Sequence, residues 1–230
     1  MRTYLYKLTS DRGGAPCAPP SRAGEEPLLT LSICKPAIRR TAEAGDRILG
    51  ITSHTLASTE GYPLLAVIYA AKVTGALGPQ EYYAAVDNPY ADRPDCVYEF
   101  HPQNGRLTHA GRTPLHREAA YEARDLGRYP YYRNARTLLS TDFRYFGAKA
   151  VPIPARFPLL LHAAEALGQG HRAFDESTPE SREADALFTR LWRRPTLHTP
   201  EQVFTEASGH APRAKQGERG TARACALRGC

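Results

Sequence analysis

The sequence predicts an α+β domain: a strongly bent mixed sheet or partly open barrel of about six to seven short strands, with helices at its margin. A C-terminal helical extension and a basic tail follow. Three observations carry this. Leu29 to Ile51 reads as strand, short helix, glycine turn, strand. Leu64 to Val73, LLAVIYAAKV, is a β-branched and aromatic run of central-strand length, closed by Gly75 and Gly78. Asn104-Gly105 stands between two alternating segments, Val97 to His101 and Arg106 to His109, which is a strong hairpin signal.

Taken in order, Arg2 to Thr9 alternates Tyr4, Tyr6 and Leu8 against Leu5 and predicts an opening strand. Ser10 to Pro27 is dense in Gly, Pro and Ala and reads as a long loop, either functional or a surface excursion. In the Leu29–Ile51 unit, Leu29 to Cys34 forms a strand and Pro36 takes the first turn of a helix over Ala37 to Ala44. Gly45-Asp46 turns the chain, and Leu49 and Ile51 share one face of the next strand while Ile48 and Gly50 share the other. Thr52 to Pro63 reads as a polar loop, and Gln80 to Ala85 as a short helix behind Pro79. A helical turn is expected over Arg117 to Arg124, and two short strands, or one bent strand, over Thr137 to Ser140 and Phe143 to Phe146. Leu159 to Leu167 predicts an apolar helix. Thr178 caps a clearer one, whose Ala184, Leu187, Phe188, Leu191 and Trp192 fall on one face. The expected organisation is therefore a domain over 1–155, a helical extension over 156–205, and a disordered basic tail over 206–230.

The 230 residues are 42% hydrophobic and carry a net charge of +6, enough for one good core and a bias toward anionic partners. Half of that charge lies beyond Thr205, where five basic residues face two acids. No apolar run is long enough for a membrane span and the N-terminus has no export pattern, so a cytoplasmic location is expected. The five cysteines are scattered, with neither disulfide nor zinc spacing; no metal and no cofactor are expected.

Catalytic templates such as a phosphate loop, a nucleophile elbow or a zinc-deaminase pattern are missing. Cys34, before a helix and beside Lys35, reads as a buried strand cysteine or as a nucleophile. Asp46 reads as a turn residue or as a catalytic carboxylate. Lys35, Arg39 and Arg40 crowd one small helix, either as a solvated face or as a phosphate clamp. Tyr129, Tyr131, Tyr132, Phe143, Tyr145 and Phe146 interleave Arg133, Arg136 and Arg144, as stacking on a base would require. His54, His109 and His116 read as surface histidines, and His162 as a structural one.

The segments YLYKLTSDRGGAP, LTLSICKPAIRR with AGDRILGI, LLAVIYAAKVT and TLLSTDFRYFGAKAVPIP occur in an order that resembles the nucleotide modification associated domain, second family of that series. The likeness covers roughly residues 1 to 155. It implies a link to modified DNA bases, and it draws attention to Asp11, Cys34, Lys35, Arg39, Asp46, Phe143 and Tyr145. The sequence departs from that pattern at Pro94 to Tyr98 and at Thr113 to His116. The glycine-aspartate strand also looks like the small PUA and EVE barrels that hold a flipped base, an analogy of fold only. Three functions follow as expectations. The first is recognition of a modified base or nucleotide in DNA, with Lys35, Arg39 and Arg40 on phosphate, Phe143 or Tyr145 stacked on the base, and Asp11 or Asp46 at its edge. The second is an enzyme using Cys34 or Asp46. The third is a non-catalytic interaction module built on the last helix. DNA or a nucleotide is the expected partner; a protein partner stays open.

Overall fold

The computed structural model describes residues 1–21 and 23–199. The expected tail, 206–230, lies outside the described residues. The chain is a mixed α+β fold around an open mixed sheet.

That sheet is built on β1 (Arg2–Leu8), β3 (Arg47–Thr52) and β4 (Ala66–Lys72), with β1 and β3 parallel and β4 antiparallel to β3. The far edge of β4 is shared by β9 (Asp142–Tyr145), which pairs with Tyr69 to Lys72, and β10 (Val151–Pro152), which pairs with Ala66 and Val67. On the other side, β11 (His171–Asp175) pairs antiparallel with β1. No pairing joins β11 to β9 or β10, so the sheet stays open and no barrel closes.

Strands buried on both faces sort their side chains by period two. Leu5, Leu49, Ile51, Val67 and Ala70 meet α5 (Pro158–Ala166) and α6 (Pro179–Leu191), whose Leu160, Ala184, Leu187, Phe188 and Leu191 complete that core. The Thr178 hydroxyl accepts the Ser181 N–H at the start of α6, as its sequence predicts. Burying each leucine of this face contributes about 2 kcal/mol. The opposite face carries Tyr4, Tyr6, Ile48, Ile68, Tyr69, Phe143 and Tyr145. It is covered by Ile38 of α1 (Pro36–Thr41), Leu56 of α2 (His54–Glu60), and a second sheet in which β8 (Thr137–Ser140) lies between β2 (Leu29–Leu31) and β5 (Gly75–Leu77). Gly50 is required here because a Cβ would stand 2.2 Å from Tyr69 Cε1 and 2.7 Å from Leu8 Cδ1. Its absence lets Tyr69 cross the strand and share a 2.9 Å hydroxyl contact with Tyr6.

A third cluster joins α3 (Pro79–Tyr82), the hairpin of β6 (Tyr98–His101) and β7 (Arg106–His109), and α4 (Ala119–Leu126) through Tyr82, Tyr83, Tyr98, Leu107 and Leu126. The hairpin stands where Asn104-Gly105 predicts it.

Several expectations change. Eleven strands are described where six or seven were expected, because many are only two to four residues long. The segment read as one or two strands around Asp142 is two strands in different sheets, β8 and β9. The expected polar loop after Thr52 contains α2, held by Ser53 accepting from the Leu56 N–H at 3.1 Å and by left-handed Gly61 at φ 72°. Strand β11 has no counterpart in the sequence reading, since only Phe174 in it is buried. The long loop after β1 is no surface excursion: Asp11, Gly13, Gly14 and Pro16 to Ala18 are buried, and Cys17 exchanges backbone hydrogen bonds with Thr30.

Candidate functional site

Between β2 and α1 the backbone leaves the ladder through two consecutive left-handed residues, Cys34 at φ 55° and Lys35 at φ 41°. Neither is glycine, so each such residue costs about 1–2 kcal/mol and must be held by its surroundings. The holding groups are on view. The Cys34 N–H donates to Asp125 Oδ1 at 2.9 Å, and the Cys34 carbonyl accepts from Arg39 Nε at 2.7 Å. The half-buried Cys34 Sγ then lies 3.7 Å from His116 Nε2, while the other ring nitrogen of His116, Nδ1, is hydrogen-bonded to Asp125 Oδ2. Cys34, His116 and Asp125 thus form a thiol–imidazole–carboxylate line drawn from two remote parts of the chain. His116 itself sits at φ 57° in the loop that enters α4.

Asp125 is the hub. It is fully buried; Oδ1 takes the Cys34 N–H, and Oδ2 takes His116 and the Tyr98 hydroxyl at 3.2 Å. Burial alone would raise its pKa, but His116, Arg39 and Arg124 outweigh that and hold it below the ordinary carboxylate range. Burial likewise opposes charge on His116, yet the bonds to Asp125 and Cys34 lift the imidazole to about 9. Across neutral pH both ring N–H groups therefore donate, one to the carboxylate and one to the sulfur.

More positive charge surrounds the sulfur. Arg124 Nη2 is 3.7 Å from Cys34 Sγ, and its guanidinium also covers the Tyr121 ring at 4.7 Å. Tyr121 stacks on His116 with centroids 4.7 Å apart. On the other side, Lys35 Nζ donates to the Lys7 carbonyl at 3.2 Å and stands 4.5 Å over the Tyr6 ring. Burial, with Arg124 nearby, draws the Lys35 ammonium below its ordinary pKa.

Cys34, His116 and Asp125 offer ligand atoms within 4.8 Å of one another, the donor set a metal could use. Two features make it a poor cation site. Asp125 Oδ2 is already committed to the His116 N–H, and Arg39 and Arg124 approach its Oδ1 to 4.0 and 3.7 Å. The sulfur already lies beside an imidazolium and a guanidinium, and a cation there would add to that positive charge.

The other residues singled out in the sequence are placed as follows. Arg39 is fully buried and spends its guanidinium on the carbonyls of Cys34, Asp125, Asn134 and Arg136, so no phosphate reaches it. Arg40 is exposed and bonds Asn134 Oδ1 at 2.9 Å. Asp46 closes its own turn, accepting from the Glu43 N–H at 3.1 Å and the Arg2 N–H at 2.6 Å. It lies at the start of β3, whereas Lys35 touches the end of β1 that pairs with the end of β3, so Asp46 and Cys34 are not brought together. Phe143 and Tyr145 are buried in the core and offer no face to a base. Asp11 is buried too, with Oδ2 accepting from Tyr145 at 2.5 Å and Tyr62 at 3.0 Å; burial, against those bonds, raises its pKa.

Sequence reasoning missed His116 and Asp125. No spacing could have shown them, since they stand 82 and 91 residues from Cys34. The only trace was a lone histidine in a turn.

The raised His116 pKa makes a measurable prediction. Because the folded state holds this proton more tightly than the unfolded chain, the contribution is complete below about pH 6.5 and is lost as pH rises toward 9. On the order of 3 kcal/mol should disappear across that window in urea titrations, from about 1.4 kcal/mol per pKa unit. His116→Gln should flatten the decline; an unchanged slope in that variant would mean the imidazole is not held by Asp125.

A family model described as nucleotide modification associated domain 2 matches residues 1–207. No curated protein matches the chain, and no solved structure does.

Proposed function

The chain belongs to the nucleotide modification associated domain 2 family, and from that premise we propose that it is a cysteine-dependent enzyme acting on a nucleobase or on a group carried by one. The observation that carries this reading is the alignment of Cys34 Sγ, His116 and buried Asp125. In such a line the sulfur is the nucleophile, the imidazole moves the proton, and the carboxylate fixes the ring.

The reaction class that uses all three is acyl substitution at a carbonyl carbon. Cys34 attacks as the thiolate, and the carbonyl π pair becomes an oxyanion in the field of Lys35 and Arg124. The carbonyl re-forms as the leaving amine departs, taking the Nε2 proton of His116, and a thioester remains on Cys34. Water or an amine then attacks the thioester, gives its proton to His116 and restores the thiolate. Asp125 stays ionised throughout, which its guanidinium neighbours favour. Tyr121, stacked on His116, offers a partly exposed ring beside the sulfur for a base to lie against.

Base recognition without chemistry is the second reading. It draws on Asp11, whose buried Oδ1 has no hydrogen-bond partner among the described residues. The stacking it needs from Phe143 or Tyr145 has to come from elsewhere, given their burial.

Incubation of the full chain with matched oligonucleotides and free nucleosides, with and without acylated or amino-modified bases, separates the two when followed by mass spectrometry. The expected result is a mass change in the nucleoside and an acyl adduct on the Cys34 peptide after acid quench, both absent in Cys34→Ala. Selective binding with neither mass change sinks the enzyme and leaves the reader.

A further inference from the structure

We propose that the cleft between the β6–β7 hairpin, the start of α3 and the turn at 129–132 is a stacking platform for single-stranded nucleic acid. The substrate would then be a base within a strand, not a free nucleotide. This deepens the reading above but stands on different residues.

The cleft has a volume of about 280 Å³ and is lined by Pro79, Phe100, Asn104, Tyr129, Tyr131 and Tyr132. Most tyrosines of this protein are core residues; Tyr4, Tyr6, Tyr69, Tyr82, Tyr83, Tyr98 and Tyr145 are at most 1% exposed. Tyr131 is 78% exposed and Tyr129 50%. Two large rings left in water side by side forgo burial that the other seven obtain, and a solvated loop has no need of them.

Beside Tyr131, the rings of Tyr129 and Tyr132 are held in place. The Tyr132 hydroxyl accepts the Leu107 N–H at 2.9 Å, the Tyr129 hydroxyl donates to the Asn104 carbonyl at 3.2 Å, and the two rings meet edge to face at 5.8 Å. A platform fixed in advance loses little entropy when a base stacks on it.

Charge decides between occupants. The Arg106 guanidinium covers Tyr129 at 4.9 Å, and exposed Arg128 and Arg133 flank the turn. None of these three is ion-paired among the described residues. The nearby acids are spent elsewhere: Glu81 accepts the Gly78 N–H at 2.8 Å, and Glu99 is paired with Arg112 and His101. Aromatic faces beside unneutralised cations match an alternation of bases and phosphates, whereas an apolar protein surface would leave the arginines unpaired. Asn104 and Gln80 add amides that can bond a base edge.

The cleft and the site at Cys34 share strand β6. Phe100 follows Tyr98 by two residues on one side of β6, about 7 Å along the strand, and the Tyr98 hydroxyl is bonded to Asp125.

The test is fluorescence anisotropy of the full chain with a labelled ten-nucleotide oligothymidylate, at about 150 mM salt for competition by thymidine monophosphate and by duplex DNA and over a salt series for the slope. Tyr131→Ala is expected to weaken oligonucleotide binding between about fivefold and a hundredfold. Arg133→Ala should reduce the slope of log affinity against log salt by about 0.7. The monophosphate should compete far more weakly than the strand. Because Tyr131 is exposed, its removal leaves folding intact, and the basic residues beyond Thr205 contribute equally to both proteins. Affinity within twofold of wild type in Tyr131→Ala overturns the platform and leaves a protein partner as occupant. Equal competition by the monophosphate overturns the strand. Cys34→Ala should bind as wild type does, so loss of turnover and loss of the platform are separately visible.

Discussion

Replacing His116 with Gln is expected to slow alkylation of Cys34 by iodoacetamide up to about thirtyfold at pH 7, because the reagent reacts with the thiolate and an ordinary thiol of pKa about 8.5 is only about 3% ionised there. The imidazolium donates directly to the sulfur, and glutamine supplies no such charge. Asp125→Asn should slow the same reaction at least tenfold, because an amide at that position no longer fixes the ring with Nδ1–H inward. Peptide mass spectrometry reads the rate at each cysteine, and Cys225→Ser with Cys230→Ser removes the thiols outside the described residues. Cys17 and Cys96 are internal controls: both are buried, which lifts Cys96 to about 12 and Cys17 well above an ordinary thiol, so both should stay unlabelled while the fold holds. Alkylation of Cys34 at the wild-type rate in both variants would reduce the triad to packing.

Arg39→Leu is expected to remove about 3–5 kcal/mol of stability, comparable to breaking a buried ion pair from one side. The guanidinium is fully buried and satisfies four backbone carbonyls, those of Cys34, Asp125, Asn134 and Arg136, which a leucine would leave without donors. Lysine should recover less than half, since a point charge cannot reach four acceptors in a planar fork. Arg40→Ala, one residue on and exposed, should cost under about 0.5 kcal/mol. Urea denaturation checks all three, and a loss below 1 kcal/mol for Arg39→Leu would show that water takes over the carbonyls. Arg39 is a positioning residue: it grips the Cys34 and Asp125 backbones, so Arg39→Lys should also slow Cys34 alkylation where the protein is still folded.

These two residues show how far the sequence could be read. Cys34 and Lys35 were legible as a candidate site because a cysteine and a lysine stood beside a helix start. That Arg39 differs from Arg40 was not legible. Both are arginines on one short helix, and only the neighbours that meet the Arg39 side, Asp125 and Arg136, decide that one is interior and the other solvated. The aromatic residues divided in the same way. Phe143 and Tyr145 alternate on a strand that proves to be covered, while Tyr129 and Tyr131 lie in a turn that leaves their rings exposed.

By itself the sequence determined what local physics controls. Period-two alternation set the two faces of β1 and β3, Asn104-Gly105 set the hairpin, and Thr178 with Pro179 began α6. Gly50 was fixed as a glycine, though the reason, a tyrosine ring 2.2 Å from its absent Cβ, is a tertiary one. The tertiary structure alone decided the line from Cys34 through His116 to Asp125. That geometry depends on angstrom distances between Cys34 and side chains more than 80 residues away, and no periodicity or spacing along the chain encodes a distance across it. The sheet and the buried Arg39 bring the loop at Cys34 against α4, and that contact turns a scattered cysteine, histidine and aspartate into one site.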